Sequence, residues 1–552
     1  MESQRSFLVL GLLLVSFLLW QEWQRDYGPQ PVQPVQETSE AQAASADVPN
    51  AVSSAEVSAD VPNPIAMPSA PVQVNGTSQL IQVTTDTLQL AINLRGGDVV
   101  DGKLMQYPIS IDSDIPFEMF NENSGTLYVA QSGLIGTDGP DGSAKGRPVY
   151  QTTSTQFEMS DDSLEVPLEL ETDEYRIVKT FTFTRGEHSV AVTYDITNKT
   201  DRALSLQQYA QLKQTVAERE GSMFMPTYRG TAYSTSDERY EKYHFSDIED
   251  EVLRRTTTGG WVAMLEHYFV SAWVPPQTEV NNIYTRFIGN QFAIIGFTGE
   301  AQTIQPQSSG QLSSTLYMGP KNQDALGSLA KNLEHTVDYG FLFWVAIPLF
   351  SLLSLIQTLV INWGLAIVII TIIVKGLMYP LTKAQYESMG KMRALQPKMQ
   401  ALKDKYGDDR QKMSQGMMEL YKKEKVNPAG GCFPLLLQMP IFLALYWVLL
   451  ESVELRHADF IFWINDLSVA DPYYVLPILT GASMWLLQKL NPVTVQDPMQ
   501  QKIMQWMPVA MSVFFFFFPA GLVLYWLISN VITIVQAKMI YSNMEKKGMK
   551  TH

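Results

Sequence analysis

The stretch "NWGLAIVIITIIVKGLMYPLTK", residues 362–383, determines how the rest of the chain is interpreted. Its apolar run is long enough to cross the hydrocarbon core of a membrane, for which about 20 residues are needed. Lys375 lies inside that run, about 12 Å along a helix from Lys383 at the basic boundary. A charge at this depth costs several kcal/mol unless it is hydrated, paired or able to reach the headgroups. Lys375 is therefore a candidate functional residue of a membrane protein.

Two interpretations of Lys375 are open. Its stem can snorkel toward the headgroups, or its ammonium can face a wet cavity. Thr371 lies one turn earlier on the same face of the helix, and further polar side chains fall in other apolar runs, at Gln438, Ser529, Asn530, Thr533 and Gln536. Such residues either join helices by hydrogen bonds or line a hydrated groove. Because no acidic residue lies deep in an apolar run, Lys375 would keep water around it and attract a visiting carboxylate.

The two halves of the chain have opposite charge. Residues 1–337 carry 21 Lys and Arg against 42 Asp and Glu, whereas residues 338–552 carry 19 against 14. An acidic soluble half argues against DNA as a partner. The single cysteine, Cys432, excludes an intrachain disulfide framework. No nucleotide-binding, zinc-protease or serine-hydrolase motif is present, so no cofactor, metal or catalytic residue is expected.

The first half contains an anchor, a linker and a β domain. Residues 1–23 are interpreted as an uncleaved transmembrane anchor; a cleaved signal peptide is the alternative, but the apolar run ends in Trp20 and Trp23 rather than in small residues. Residues 24–78 are rich in Pro, Ala and Ser, which predicts a disordered linker. Period-two alternation with frequent turn signals over 79–325 predicts a large antiparallel β-sandwich.

The second half is predicted to be a membrane α-helical bundle. Residues 326–357 are interpreted as a linker and an interfacial amphipathic helix, followed by a five-span core over 358–540. With the anchor this makes six spans. The core spans are expected at about 358–381, 431–452, 472–490, 503–518 and 522–540. A charged helical hairpin is expected over 384–425 and a basic tail over 541–552.

Charge gives an independent prediction of orientation. The connection 383–425 carries 11 Lys and Arg against 6 Asp and Glu, whereas 453–471 carries one arginine among four acidic residues. By the positive-inside rule the first connection and the basic tail face the cytoplasm. Both termini are then cytoplasmic and the β-sandwich is periplasmic.

The cytoplasmic hairpin is rich in methionine. Two interpretations are open: the thioethers pack the two helices together, or they bind varied apolar segments by adapting their shape. The residues concerned are Met389, Met392, Met399, Met413 and Met417.

Four stretches have a recognisable arrangement: residues 362–400, "NPAGGCFPLLLQMPIFLALYW" from 427, "DPMQQKIMQWMPV" from 497 and "FPAGLVLYWLISN" from 518. Together they resemble the membrane protein insertases of the YidC/Oxa1/Alb3 family. The layout of anchor, linker, outer domain and five-span core is similar to the Gram-negative bacterial YidC type. The resemblance covers essentially the whole chain.

The resemblance implies a bacterial inner-membrane insertase and chaperone that works alone or beside the Sec translocon, without nucleotide hydrolysis. The implied partners are nascent membrane proteins, the Sec translocon, the ribosome and membrane lipids. Lys375 matches the position of a groove arginine, and so keeps the charge but loses the planar guanidinium. Thr371 and Trp526 match positions that contact a substrate helix, and the implied outer domain is a β-supersandwich similar to sugar-binding folds.

Two rival functions follow from the residues alone. A secondary transporter would show paired broken helices or an inverted repeat, and five core spans show neither. A carbohydrate-active outer domain would need convergent carboxylates or a His–Glu pair; the sequence offers His188, His244 and His267 without placing them together.

Overall fold

A computed structural model describes residues 80–546 apart from 124, 144–145, 217–227, 290, 408, 425–432 and 491–497. The predicted anchor and linker lie outside these residues, as does the second half of the basic tail, 547–552. The described chain consists of a strand-rich region followed by a helical region.

The strand-rich region realises the alternation seen in the sequence. In the strand Tyr175–Thr184, for example, every second side chain from Ile177 to Phe183 is buried, as expected for a strand with one face in the core. The strands are β1 Leu80–Thr84, β2 Leu88–Asn93, β3 Asp98–Pro108, β4 Pro116–Glu122, β5 Leu127–Ile135, β6 Gln156–Glu158, β7 Ser163–Glu171, β8 Tyr175–Thr184, β9 Ser189–Asn198, β10 Leu204–Thr215, β11 Gly230–Ser234, β12 Glu241–Tyr243, β13 Arg254–Thr258, β14 Trp261–Leu265, β15 Phe269–Val274, β16 Val280–Ile288, β17 Phe292–Thr298, β18 Gln302–Ile304 and β19 Ser309–Pro320.

These strands form two sheets. The larger has the order β13-β16-β17-β10-β5-β4-β3-β2-β1-β6, with β18 paired to β10, and the smaller has the order β12-β11-β14-β15-β19-β9-β8-β7. Neighbours pair antiparallel except β1 and β6, which are parallel. One large apolar cluster draws residues from both sheets. The predicted β-sandwich is therefore confirmed.

A lysine is buried in this apolar core. Lys179 on β8 has no exposed surface, and its Nζ donates to the carbonyl oxygens of Gly96 at 3.0 Å, Gly97 at 2.8 Å and Ser132 at 3.1 Å. Burial lowers the pKa of Lys179 to about 7, because a low-dielectric site disfavours the charged amine. All three donors of the ammonium are used within the fold.

The helical region begins directly after β19. Its helices, together with a short one inside the sandwich, are α1 Phe245–Asp250, α2 Gln323–Leu329, α3 Phe343–Val360, α4 Trp363–Leu377, α5 Tyr379–Ala394, α6 Gln396–Tyr406, α7 Arg410–Lys423, α8 Phe433–Glu451, α9 Val475–Leu490, α10 Pro498–Phe514 and α11 Ala520–Lys546.

Two of the described helices are long and apolar enough to cross a membrane by themselves, at Gly340–Val360 and Ala520–Lys546. Helices α4 and α5 pass together as one candidate span, bent by 62°. Shorter apolar helices lie at Leu437–Glu451, Val475–Leu490 and Gln505–Phe517. A helical region able to span the membrane is therefore confirmed, whereas the count of six spans and the interfacial position of α3 stay predictions.

The stretch predicted as a two-helix hairpin, 384–425, is divided among three helices. The first break follows Ala394, and the second surrounds Gly407, which has a positive φ of 51°. Pro397 explains the first break, since it lies in the first turn of α6 and has no N–H to continue the helical hydrogen bonds of α5.

The β-sandwich contacts the end of α8. His267 Nε2 lies 2.9 Å from the Leu450 carbonyl oxygen, and Lys321 Nζ lies 3.8 Å from a carboxylate oxygen of Glu451. Burial lowers the pKa of His267 to about 4, so the imidazole is neutral at pH 7 and donates to that carbonyl. Beyond α8, Arg456 donates to the carbonyl oxygens of Pro108 and Ile109. These contacts fix which end of the bundle adjoins the sandwich.

Candidate substrate groove

A cavity of about 280 Å³ lies between α4, α8, α9 and α11. At roughly 30 Å³ per molecule it has room for several waters. Its wall mixes apolar side chains with a few polar groups, as binding pockets commonly do. The lining residues are Val374, Lys375, Met378, Gln438, Met439, Ile441, Phe442, Leu487, Tyr525, Trp526, Ser529, Asn530 and Thr533.

Lys375 lies in the last turn of α4. The helix begins at Asn362, whose Oδ1 accepts a hydrogen bond from Leu365 N at 2.8 Å, and ends just before Met378, where the chain turns into α5. Pro380 in the first turn of α5 cannot donate a backbone hydrogen bond, which explains the break. A cation in the last turn also interacts favourably with the helix dipole.

Two residues of α11 bond Lys375, one at its side-chain ammonium and one at its backbone carbonyl. Its Nζ donates to Thr533 Oγ1 at 3.2 Å, while its carbonyl oxygen accepts a hydrogen bond from Gln536 Nε2 at 3.1 Å. Thr533 donates its own hydroxyl proton to the Ser529 carbonyl at 2.7 Å, so its oxygen is free to accept from the lysine. Among the described residues, Lys375 takes part in no ion pair, and Thr533 is the single acceptor of its ammonium.

Other predicted groove residues connect the helices around the cavity. Asn530 Nδ2 donates to Ser483 Oγ at 3.0 Å, which joins α11 to α9. Gln438 Nε2 lies 3.4 Å from Thr382 Oγ1, a long hydrogen bond from α8 to α5. Ser529 lines the cavity although it is largely buried. The structure thus brings Lys375, Gln438, Ser529, Asn530 and Trp526 to one cavity.

Thr371 is placed differently from the other predicted groove residues. Its side chain is wholly buried, and its hydroxyl donates to the Ile367 carbonyl of its own helix at 2.6 Å. It lies one turn from Lys375 but does not line the cavity. Its role toward a substrate stays a prediction.

Apolar packing closes the end of the cavity nearer the β-sandwich. The Trp526 ring lies 5.3 Å from Phe442 and 4.3 Å from Phe515, measured between ring centroids. Beyond them, buried residues of α8 and α11 fill the bundle, among them Leu445, Val448 and Leu522. Polar groups therefore cluster toward the other end.

Thr533 and Gln536 were identified from the sequence as polar residues of an apolar run, but not as contacts of Lys375. The signal was present, because Ser529, Asn530, Thr533 and Gln536 follow one another at spacings of one, three and three residues and so share one side of α11. Their partner on α4 could not be read from the sequence, since it depends on how the two helices pack.

The methionines of α5, α6 and α7 are half-buried. Met389, Met392, Met399, Met413 and Met417 all keep part of their surface exposed. Met399 lies 4.0 Å from the Tyr421 hydroxyl, measured at its sulfur, across the α6–α7 pair. This contact accords with the packing interpretation, and the remaining exposed surface leaves the binding interpretation open.

The three histidines considered for a carbohydrate-active site have separate surroundings. His188 packs near Tyr107 and Tyr317, His244 precedes α1, and His267 bonds α8. Among the described residues, no group of three or more metal-binding side chains occurs.

Comparison with known proteins decides the family. Residues 80–352 match the YidC periplasmic domain family, and residues 355–547 match the 60Kd inner membrane protein family. A membrane protein insertase YidC of Pseudoalteromonas atlantica is 59% identical over 100% of both chains. Another, of Shewanella piezotolerans, is 53% identical over 100% of both chains. The chain belongs to the YidC family of membrane protein insertases.

Membership of the YidC family makes the β-sandwich a periplasmic domain and the chain an inner-membrane protein with helices able to span. YidC relatives are named for protein insertion rather than for a catalysed reaction, so the carbohydrate-active rival is not retained. A crystal structure of an active YidC insertase with its first transmembrane domain resolved is 20% identical, covers 84% of this chain and 93% of its own, and gives a TM-score of 0.36.

Proposed function

We propose that this protein inserts integral inner-membrane proteins, and helps them to fold, through a hydrated cationic groove at Lys375. The observation that carries the proposal is the position of the Lys375 ammonium in a partly polar cavity with a single neutral acceptor, Thr533. An ammonium has three donors, so two remain for water or for a visiting carboxylate.

The cost of placing an acidic residue in the membrane and its attraction to Lys375 are of similar size. An aspartate at the centre of a membrane helix costs about 3 kcal/mol on insertion scales. A lysine about 4 Å from a carboxylate contributes roughly 4 kcal/mol at an effective dielectric constant of 20. A polar or acidic chain end can therefore move partway into the bilayer at little net cost when it pairs with Lys375.

The apolar part of the substrate supplies the driving force. Burying one large apolar side chain contributes about 2 kcal/mol, so a transmembrane segment entering lipid needs no nucleotide hydrolysis. Exposed apolar residues flank the cavity on α8 and α11, at Leu437, Met439, Val531, Val535 and Met539. We propose that the segment slides along these two helices after the methionine-bearing helices α5–α7 have received it.

The proposal extends to orientation and partners. Both termini are cytoplasmic, the cavity opens toward the cytoplasm, and the substrates are nascent membrane proteins delivered directly or beside the Sec translocon and the ribosome. Membrane lipids complete the open side of the groove.

The charge of Lys375 is the property to test. Lys375→Glu is expected to reduce insertion of substrates with acidic periplasmic tails by about tenfold or more, the factor for about 1.4 kcal/mol, while Lys375→Arg keeps most of it. Insertion is measured by protease protection in a depletion strain, with substrates that differ only in Asp or Asn in the tail.

Lys489→Glu is the matched control. This lysine also lies at the end of an apolar helix, but its ammonium packs on the Trp485 ring at 3.8 Å and lies outside the cavity. Equal loss in both glutamate variants, or none in Lys375→Glu, would contradict the proposal.

A further inference from the structure

Two strongly exposed apolar residues with unusual backbone lie at the periplasmic end of the bundle. Ile361, at the corner between α3 and α4, is 84% exposed, and Phe462, in the α8–α9 loop, is 85% exposed. Their φ angles are +55° and +58°. Left-handed backbone costs a residue with a Cβ about 1 kcal/mol or more.

Phe462 occupies a tight turn that normally selects a different residue. Ile464 N donates to the Ile461 carbonyl at 3.2 Å, so Phe462 is the second residue of a four-residue turn. Turns with a positive φ at this position favour Gly, Asn or Asp. A phenylalanine here combines backbone strain with a ring that stays 85% exposed although it stacks on the neighbouring Trp463 ring at 5.9 Å between centroids.

The strain does not come from a loose loop. Asp466 Oδ1 accepts hydrogen bonds from His457 N at 3.1 Å and Ser468 N at 2.8 Å. Asp471 accepts from the Trp463 indole at 2.9 Å and from Leu476 N at 2.7 Å. The loop is therefore held in one conformation that points Phe462 outward.

Hydrogen bonds between their neighbours hold Ile361 and Phe462 in one patch. Asn362, next to Ile361, donates from Nδ2 to the carbonyl oxygens of Phe460 at 3.1 Å and Asp459 at 3.3 Å. Phe460 packs so closely on α4 that a Cβ added to Gly364 would lie 2.1 Å from its ring. The α3–α4 corner and the turn at Ile461 and Phe462 thus form one rigid unit.

We propose that this unit inserts into the outer leaflet of the membrane. Its apolar members, called here the outer prong, are Leu359, Ile361, Ile461 and Phe462, exposed by 76%, 84%, 49% and 85%. The ligand is the acyl-chain and headgroup boundary of the lipid.

Three observations favour lipid as the occupant. The prong stands at helix ends of a membrane bundle, and Arg456, in the same loop, bonds the periplasmic β-sandwich, which places the prong at outer-leaflet level. It also continues the exposed apolar residues of α3, including Trp344 and Leu355. An apolar side chain entering lipid gains about 1.5–3 kcal/mol, enough to offset the strained backbone.

The prong would fix the depth of the bundle in the outer leaflet. Because α4 starts at this corner and carries Lys375 in its last turn, the depth of the prong also sets the height of Lys375 in the membrane. The inference itself needs only a membrane-embedded chain and does not depend on the role of the groove.

The test uses the absence of other cysteines once Cys432 is replaced by serine. Single cysteines at Phe462 (Phe462→Cys) and Ile461 (Ile461→Cys) carry an environment-sensitive fluorophore in the full chain, reconstituted into vesicles of phosphatidylethanolamine and phosphatidylglycerol. Asp201→Cys, in an exposed turn of the β-sandwich, is the control. Lipids with a nitroxide high on the acyl chain and aqueous iodide are the two quenchers.

Both prong labels are expected to lose most of their emission to the nitroxide lipid and little to iodide, with the reverse at position 201. Quenching of the prong labels by iodide alone overturns the proposal. Energy transfer between labelled copies that disappears on dilution into excess lipid, with iodide protection lost at the same time, identifies a second copy as the occupant and also overturns it.

Discussion

Two lysines of this protein, the buried Lys179 and the half-buried Lys375, differ in how many of their donors the fold uses. Lys179 in the β-sandwich donates to three backbone carbonyls, whereas Lys375 in the bundle donates to one threonine hydroxyl beside a cavity. A saturated ammonium can bind nothing else and contributes to stability. An unsaturated one at a cavity can bind a ligand, at some cost to stability. The number of ammonium donors left unused by the fold therefore distinguishes a structural lysine from a candidate binding lysine.

The largest expected effect is on the free energy of unfolding, which Lys179→Met should lower more than Lys375→Met does. Lys179→Met removes the Lys179 donor from the buried Gly97 carbonyl, while the Gly96 and Ser132 carbonyls keep Arg147 Nη2 as a donor; because an unsatisfied buried polar group costs about 1–3 kcal/mol, a loss of that size in the free energy of unfolding is expected. Lys375→Met leaves Thr533 bonded to the Ser529 carbonyl and is expected to change the free energy by less than about 1 kcal/mol. Denaturant unfolding of the full chain in detergent, followed by tryptophan fluorescence of the sandwich, measures both.

Lys103→Met, at a half-exposed position of the sandwich, is the control for removing a lysine from this domain. Equal stability of the Lys179 and Lys103 variants would show that the Gly97 carbonyl finds another donor, and the contrast between the lysines would fail.

Part of the difference between Lys179 and Lys375 was predictable from the sequence. Lys179 has the same strand parity as Ile177, Phe181 and Phe183, so it was predictable as an inward-facing lysine from "YRIVKTFTFT". Its acceptors were not predictable, because Gly96, Gly97 and Ser132 come from distant strands and turns. Lys375 was predictable as a candidate site from its depth in an apolar run, but Thr533 and Gln536 became its partners through helix packing.

Element type was predicted more reliably than element boundaries or span number. The sandwich and the apolar helices follow from periodicity and composition. The break at Leu395 depends on Pro397, a local signal that the hairpin prediction did not use. Whether the short helices α8, α9 and α10 cross the membrane depends on lipid thickness and helix packing, which a hydropathy pattern does not specify.

The titration of Lys179 gives the next effect. Its pKa is lowered to about 7 in the folded protein, against about 10.4 in an unfolded chain. Between these values the unfolded state binds more protons, so the free energy of unfolding rises with pH, by up to about 1.4 kcal/mol per pH unit for one proton. Wild type is therefore expected to gain stability over Lys179→Met from pH 7 to pH 9.

Paired denaturant curves of wild type and Lys179→Met at pH 6, 7, 8 and 9 isolate this titration, since all other groups are common to both chains. A difference that stays constant across the series would mean that the amine keeps its proton inside the sandwich.

The smallest expected effect concerns how precisely Lys375 is held. Gln536→Met keeps the volume of the side chain but removes the donor to the Lys375 carbonyl, where the helix breaks. The loss of one hydrogen bond, about 1 kcal/mol, lets the end of α4 sample other positions. A cysteine at position 375 (Lys375→Cys with Cys432→Ser) reports this through its rate of reaction with a water-soluble thiol reagent. The rate is expected to change by up to about fivefold, the factor equal to that energy.

Gln438→Met is the control, because it also removes an amide at the cavity but leaves the Lys375 backbone bonded, and it is expected to change the rate less. If the two variants behave alike, the hydrogen bond from Gln536 does not position Lys375, and the depth of the ammonium is set by helix packing alone.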